Sequence, residues 1–142
     1  MTTITAELRE NYQVDVTNGR HTWRADEPVD LGGDDTGPNP YDLLLGSLAA
    51  CTTITLALYA KRKKIDLQTV SAEYSFDRVH ADDCEQCDDE HSGMIDRVTS
   101  RIFIDGDFDE ATRKRLQDIA VRCPVHKTLA NGVVFDETVF AG

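Results

Sequence analysis

Cysteines are the side chains most able to do chemistry in this sequence, and two of the four fall in predicted helices or at their ends. Cys51 lies within an uncharged stretch of 18 residues, 43–60, so its helical neighbours are largely apolar. Apolar burial raises a thiol pKa and favours an inert core cysteine, unless a cation from elsewhere reaches the sulfur. Cys123 precedes Pro124 at the start of a short predicted helix, whose free N–H groups and dipole favour a thiolate. His126 follows three residues later as a potential proton donor. A Cys-Pro dipeptide alone is a weak signal, so a redox role and a structural role for Cys123 are about equally consistent with the sequence.

A second set of potential ligands lies in a polar insert, residues 80–93. Two histidines and two cysteines are placed symmetrically along twelve residues of it: His80, Cys84, Cys87 and His91. These are the ligand types that suit a tetrahedral Zn²⁺ site, although zinc fingers usually draw their two halves from separated elements. A redox-active cysteine pair and an acidic surface loop with reduced thiols are the two other interpretations. The sequence leaves all three open.

The elements before Cys51 are predicted to be three strands, a loop and a long helix. Asn39 is a suitable N-cap and Pro40 a suitable first helical residue, so the helix should run from there to about Lys63. The basic cluster at its end suits the negative end of the helix dipole. The preceding strands are predicted over 2–9, 12–17 and 21–25, with an Asn18-Gly19 turn before the third and a breaker-rich loop over 31–40.

The elements after Cys51 are predicted to be two strands, two helices and a final strand. Asp107 and Glu110 have the spacing of a capping box that opens the first helix, and Pro124 places a break at Cys123. The remaining segments are strands over 69–79 and 97–105, a short helix over 124–131 and a strand over 133–140. Strands grouped apart from helices predict an α+β fold, here one domain over residues 1–142.

Composition excludes several classes of partner. The chain has 142 residues, a formal net charge of −11 and a pI near 4.6, which leaves no excess of cations for nucleic acid or an anionic membrane. Residues 43–60 followed by four basic residues resemble a membrane span, but Gly46, Ser47 and three threonines dilute its apolarity. The N-terminus has no basic segment followed by an apolar one, so we predict a cytoplasmic protein without a secretory signal.

Two segments together resemble the OsmC/Ohr superfamily, in the branch with a Cys-Pro-Val-His motif. The first runs from Gly37-Pro-Asn-Pro to Ala-Ala-Cys51-Thr, and the second is Arg122-Cys123-Pro-Val-His126. The resemblance covers almost the whole chain. It implies an intertwined homodimer, in which two long central helices are wrapped by mainly antiparallel sheets from both chains.

The resemblance also implies a thiol peroxidase for organic hydroperoxides that requires no cofactor. Cys51 would attack the peroxide as a thiolate and become a sulfenic acid, and Cys123 would resolve it as a disulfide. An external dithiol would then restore both thiols. Zinc in the insert would be an addition that the family signature does not explain.

The activating residues of that family are only partly present. Its members carry a Glu ten residues before the first cysteine, where this chain has Tyr41 and then Asp42. One helical step turns a side chain by about 100°, so Asp42 is not equivalent to that Glu. The family's arginine corresponds to Arg24 or Arg20, of which we favour Arg24. A non-catalytic dimer that binds a small apolar or thiol-reactive ligand is therefore the alternative function.

Overall fold

The computed structural model describes residues 1–84 and 93–142. The chain divides into two compact units, residues 1–46 and 47–142, and the boundary falls inside the longest helix.

The N-terminal unit begins with a three-stranded antiparallel sheet. Its strands are β1 (Thr5–Leu8), β2 (Val14–Thr17) and β3 (Thr22–Ala25), in spatial order β1-β2-β3. The second turn is the predicted Asn-Gly turn, in which Gly19 adopts a φ of 88° and the Asn18 side chain accepts two backbone N–H groups. All three predicted strands are confirmed, with shorter bounds than their residue patterns suggested.

A buried carboxylate organises the loop that follows this sheet. Asp26 is 2% exposed and accepts hydrogen bonds from the Thr36 hydroxyl at 2.6 Å, the Thr36 N–H at 3.0 Å and the Glu27 N–H at 2.7 Å. These bonds lower the pKa of Asp26 to about 2. The bond from the Thr36 hydroxyl has the largest effect. The loop is therefore held around an ionised Asp26 just before the helix.

The long helix α1 spans Pro40–Lys63 and begins where the sequence predicts. Asn39 and Asp42 cap it reciprocally: the Asp42 N–H donates to Asn39 Oδ1 at 2.9 Å, and the Asn39 N–H donates to Asp42 Oδ2 at 3.2 Å. Four buried side chains recur every fourth residue along one side of α1: Leu48, Thr52, Leu56 and Ala60. This stripe is the side of α1 that packs into the protein.

By length and composition, α1 is the one helix in the described part of the chain that passes a test for a membrane span, with a hydropathy of 1.8. Core helices of soluble proteins pass the same test. Because Leu56 of the buried stripe packs in the core of the C-terminal unit, we interpret α1 as a core helix.

The C-terminal unit packs α1 and a second helix against a long β-hairpin. The hairpin pairs β4 (Asp66–His80) with β5 (Met94–Asp107) in antiparallel register, and α2 (Glu110–Ala120) and α3 (Pro124–Asn131) follow. Leu56 of α1 and Leu116 of α2 are fully buried at the centre, with Ala120 beside them. Apolar side chains of the hairpin, including Val70, Ile102 and Ile104, complete this core.

Two details of the predicted C-terminal half are wrong. The N-cap of α2 is Asp109, whose carboxylate accepts the Thr112 N–H at 2.8 Å, because β5 extends through Asp107 and uses that residue as a strand end. Residues 133–142 contain no strand, and the side chains of Val134 and Phe140 are each 93% exposed. A β-branched and aromatic pattern forms a strand only when another strand offers its backbone groups, and no strand of the described residues pairs with this segment.

Candidate functional site

The α2–α3 junction positions Cys123 as the N-cap of α3. Pro124 occupies the first turn of α3, which leaves the preceding residue extended, as the sequence predicts. The Cys123 sulfur accepts the His126 N–H at 3.3 Å and is only 1% exposed. Its sulfur thus lies at the positive end of a helix dipole, where a thiolate is stabilised.

The fold brings Cys51 against Cys123, although 71 residues separate them in the sequence. Both are free thiols, Cys51 partly exposed and Cys123 buried, and their side chains are hydrogen-bonded to each other. Since Cys51 belongs to α1 and Cys123 to the start of α3, the pair joins two elements that pack in the same unit. The fold therefore brings together two thiols from distant parts of the sequence.

The surroundings of the two sulfurs push their pKa values apart. Burial raises the pKa of the Cys51 thiol, and its hydrogen bond to Cys123 raises it further. Burial also acts against a Cys123 thiolate, but hydrogen bonds from Cys51, the His126 N–H and the Thr52 hydroxyl outweigh it and lower the pKa of Cys123. Of the two thiols, Cys123 is therefore the one that loses its proton more readily, and Cys51 is the one that keeps it.

Two hydroxyl groups extend this pair toward the hairpin. Thr52 is 0% exposed, and its Oγ1 lies 2.7 Å from the Tyr74 hydroxyl oxygen. The Thr52 hydroxyl also hydrogen-bonds to Cys123. Sequence reasoning missed both residues, although Tyr74 lies on the inward face of an alternating strand and Thr52 directly follows Cys51.

A cavity of about 280 Å³ opens beside this hydroxyl pair. Its polar lining comes from Tyr74, Ser100 and His126. Its apolar lining consists of Leu48, Val98, Leu129 and Ala130. Leu48 stands one helical turn before Cys51, so the cavity adjoins the thiol pair from that side.

The three remaining candidate residues of the activating group belong to the N-terminal unit. Arg24 donates from Nε and Nη2 to Asp15 Oδ1 at 3.1 and 2.9 Å, and from Nη1 to Gln13 Oε1 at 3.1 Å. Arg20 lies in the exposed turn between β2 and β3. Asp42 uses its carboxylate to cap α1, as described above. Of the six candidate catalytic residues, the C-terminal unit brings together Cys51, Cys123 and His126.

The insert is described only in part. The His80 side chain accepts the Asp82 N–H at 3.3 Å, and Cys84 is disulfide-bonded rather than a free thiol. Cys87 and His91 lie outside the described residues. Within residues 1–84 and 93–142, no group of three or more His, Cys, Asp or Glu side chains is placed to hold a metal. Zinc binding by the insert stays a prediction.

Comparison with known proteins agrees with this architecture. The model of the OsmC-like protein family matches residues 32–138. An OsmC-like protein from Mycoplasma pneumoniae is 25% identical, with a TM-score of 0.69 over 92% of this chain and 87% of that one. No match was found among curated proteins.

Two organic hydroperoxide resistance proteins share the fold at lower identity. The protein from Legionella pneumophila is 24% identical, with a TM-score of 0.61 over 89% of this chain and 87% of that one. The protein OhrB of Bacillus subtilis is 22% identical, with a TM-score of 0.57 over 89% of this chain and 88% of that one. The family match extends over both cysteines, from the loop before α1 to the residues after α3. The chain belongs to the OsmC-like protein family.

Proposed function

We propose that this protein is a thiol-dependent peroxidase that reduces organic hydroperoxides through Cys51 and Cys123. The observation that carries this proposal is the hydrogen-bonded thiol pair, one sulfur of which has a lowered pKa, beside a largely apolar cavity. The family match supports a role connected with hydroperoxides, as do the names of the structural neighbours from Legionella pneumophila and Bacillus subtilis.

Exposure decides which sulfur attacks. Cys123 is 1% exposed and has no open approach for a peroxide, whereas Cys51 is partly exposed. We therefore assign the attack to Cys51, with the Cys123 thiolate as the base that takes up the Cys51 proton. The hydrogen bond between the two thiols is the path for that proton.

The chemistry then balances in two steps. The Cys51 sulfur attacks the terminal peroxide oxygen, the O–O bond breaks, and the released alkoxide receives a proton to leave as an alcohol. Cys51 is oxidised to a sulfenic acid, and the peroxide is reduced. Cys123, which holds the proton that it took from Cys51, next attacks the Cys51 sulfur; the S–S bond forms, the S–O bond breaks, and the proton leaves with the expelled hydroxide as water. An external dithiol returns the disulfide to two thiols and is itself oxidised.

The cavity supports an organic rather than an inorganic peroxide. Four of its lining side chains are apolar, including Leu48 and Leu129, and can cover an alkyl or aryl group. The Tyr74 and His126 side chains are the groups of this cavity able to donate a proton to the departing alkoxide. Hydrogen peroxide has no apolar part to bury and should react more slowly.

Arg24 is our candidate for the cation that activates Cys51, with Arg20 as the second choice. The Arg24 guanidinium donates three hydrogen bonds to Asp15 and Gln13, which fix it in one orientation. In the family, a glutamate would hold the arginine in this way. Tyr41, which stands at the corresponding position here, is neutral and cannot do so.

We also propose that the active protein is a cytoplasmic homodimer. Large apolar side chains are exposed on α1 and in the C-terminal segment, including Ile54 and Leu58 at 57% and 63% and Phe135 and Phe140 at 78% and 93%. Surfaces of this kind mark protein contacts, and a second copy of the chain would cover them. A strand over 133–140 would form there if the second copy supplied a strand edge.

Peroxide consumption with a dithiol reductant tests the proposed activity. We expect cumene hydroperoxide to be consumed faster than hydrogen peroxide. Cys51→Ser should abolish turnover, and Cys123→Ser should stop it after one equivalent. Cys84→Ser is the matched control, because this cysteine lies outside the thiol pair, and should retain activity. Full activity in Cys51→Ser would refute the proposal.

The second candidate is a non-catalytic dimer that binds a small apolar or thiol-reactive ligand. Tyr41 in place of the family's glutamate and the raised pKa of Cys51 favour it, because both reduce thiolate at the exposed sulfur. Thermal stabilisation by a ligand of the cavity, without any peroxide consumption, would support this candidate and overturn the first.

A further inference from the structure

Two hydroxyl groups form a hydrogen-bonded chain that begins at the Cys123 sulfur. The Thr52 hydroxyl bonds this sulfur, and its oxygen lies 2.7 Å from the Tyr74 hydroxyl oxygen, the usual length of a full O–H···O hydrogen bond. Thr52 belongs to α1 and is 0% exposed, and Tyr74 is a half-buried residue of β4. Packing of α1 on the hairpin therefore connects one thiol of the pair to a phenol through one buried hydroxyl.

The number of protons fixes the direction of this chain. An ionised Cys123 has no proton to donate, so the Thr52 hydroxyl, which has one, donates it to the sulfur. The Thr52 oxygen then accepts from Tyr74, whose hydroxyl is the donor across the 2.7 Å contact. While Cys123 is a thiolate, the Tyr74 proton is therefore held by Thr52.

Tyr74 also lines the cavity of about 280 Å³ beside the thiol pair. It stands opposite Ser100 in the hairpin, and Ser100 lines the same cavity. His126 is the other proton-donating side chain of this cavity, but it is exposed, and its backbone N–H is the group that donates to Cys123. Tyr74 is thus the donor that belongs both to the cavity and to the chain of hydroxyls.

We propose that Tyr74 donates the proton to the departing alkoxide and that Thr52 positions it, an inference that rests on the proposed peroxidase function. Once Cys123 has taken the proton from Cys51, its neutral thiol no longer requires Thr52 as a donor. The Thr52 hydroxyl then rotates and donates to the Tyr74 oxygen, which frees the Tyr74 proton for the alkoxide. Proton uptake at Cys123 therefore triggers proton release at Tyr74, and only hydrogen atoms change place in the chain of hydroxyls.

The protons and bonds of this step balance. The Cys51 sulfur attacks the terminal peroxide oxygen, the O–O bond breaks, and the Cys51 proton goes to Cys123. The Tyr74 proton goes to the alkoxide, which leaves as an alcohol, because a phenol is a much stronger acid than an aliphatic alcohol. The Tyr74 phenolate accepts the hydrogen bond from Thr52 and regains a proton from solvent after the alcohol leaves. The proton on Cys123 stays there until it leaves as water when the disulfide forms.

Peroxides that differ in their leaving group test this assignment. Cumene hydroperoxide releases an alkoxide, which requires a proton to leave readily. Peroxybenzoic acid, which has an aryl group of similar size, releases benzoate, which leaves without one. The measurement is the rate of thiol loss in the first turnover of the reduced full-length protein, taken with each peroxide near neutral pH.

Tyr74→Phe keeps the aromatic ring and removes the proton. We expect its rate with cumene hydroperoxide to fall by about a hundredfold or more, the usual contribution of an acid catalyst, and its rate with peroxybenzoic acid to change less than threefold. Tyr59→Phe is the matched control, because the Tyr59 hydroxyl accepts from Arg115 Nε at 3.2 Å and lies outside this chain of hydroxyls. It should retain both rates.

Thr52 is tested by the ratio of the two rates and by a conservative rescue. Thr52→Val should slow both peroxides, since Cys123 then ionises less readily as the base, and it should slow cumene hydroperoxide at least tenfold more than peroxybenzoic acid. Thr52→Ser keeps a hydroxyl at the same position and should restore the wild-type ratio. A role of Thr52 in packing alone would lower both rates equally.

Several outcomes would overturn the proposal and leave the peroxidase function in place. They are equal slowing of both peroxides in Tyr74→Phe, unchanged rates in that variant, and an unchanged ratio in Thr52→Val. A loss confined to cumene hydroperoxide in His126→Gln, and absent from Tyr74→Phe, would assign the donor to His126 instead. A wild-type protein that loses no thiol with either peroxide would overturn the proposed function and this inference together.

Discussion

Replacing Thr52 with valine removes the one hydroxyl that joins Tyr74 to the thiol pair. Valine has nearly the same shape as threonine, so the change deletes hydrogen bonds with little change in packing. Thr52 is 0% exposed, so no solvent takes the place of its hydroxyl, and its two partners are Tyr74 at 2.7 Å and the Cys123 sulfur. We expect this variant to be less stable and to ionise its Cys123 thiol less readily.

The magnitudes follow from burial and charge. Leaving a buried hydroxyl partner unsatisfied costs about 1–3 kcal/mol, so the free energy of unfolding should fall by that amount. A hydrogen bond to a charged group contributes about 1.5–3 kcal/mol. Since 1.4 kcal/mol is a factor of ten, the acid dissociation constant of the Cys123 thiol should fall by about tenfold to a hundredfold. The pKa of Cys123 should therefore rise.

Thiolate absorbance near 240 nm against pH, together with urea denaturation, measures both effects. Thr53→Val is the matched control, because among the described residues the Thr53 hydroxyl donates only to the Ala49 and Ala50 carbonyls of its own helix. It should leave the thiol titration unchanged. Tyr74→Phe should have a smaller effect on the titration than Thr52→Val, because Thr52 then remains free to donate to Cys123. An unchanged titration in Thr52→Val would refute the hydroxyl contact as a source of the thiolate.

Three further predictions concern the loop, the dimer and the insert. The pKa of Asp26, about 2, is below its ordinary value of 3.8, so its contribution to stability is present above that value and lost as pH falls toward 2. Asp26→Asn should therefore lower the unfolding midpoint at neutral pH and flatten its acid dependence between pH 6 and 2, and an unchanged profile would contradict this. The dimer would carry a net charge of −22, so screening of the repulsion between its two chains should tighten association as salt rises from low to moderate concentration. Sedimentation measures this, and an association that does not depend on salt would exclude such repulsion as a significant contribution. Zinc binding predicts about one zinc per chain in reduced protein by elemental analysis and little in Cys84→Ser, whereas equal zinc in both excludes the insert as its site.

Local residue chemistry was enough to predict most elements of the fold. Asn39 and Pro40 specify the start of α1, and Pro124 specifies the break at Cys123, because each acts on its immediate backbone neighbours. The inward face of β4 was likewise readable, since Val70 and Tyr74 stand on the half-buried side of an alternating strand. Signals of this kind require no knowledge of tertiary contacts.

The predictions for the start of α2 and for residues 133–140 failed because strand pairing, and not the local sequence, determines the structure there. Two carboxylates compete for the start of α2, and the length of β5 assigns that role to Asp109 instead of Asp107. Residues 133–140 have the composition of a strand, but a strand also requires a neighbouring edge.

The candidate site shows the same division. The helix-end position that favours a Cys123 thiolate follows from the adjacent Pro124 and His126. The Thr52 and Tyr74 hydroxyls meet across 22 residues of sequence. Such contacts arise only from packing, so residue spacing does not indicate them.

The central claim is that Cys51 attacks the peroxide and Cys123 resolves the product. Its most direct test treats the reduced protein with one equivalent of cumene hydroperoxide and maps the products by mass spectrometry without reduction. The account predicts a Cys51–Cys123 disulfide in the wild-type protein, and a dimedone-labelled sulfenic acid on Cys51 in Cys123→Ser. Two titratable thiols after treatment, or rapid dimedone labelling of Cys123 in Cys51→Ser, would contradict it.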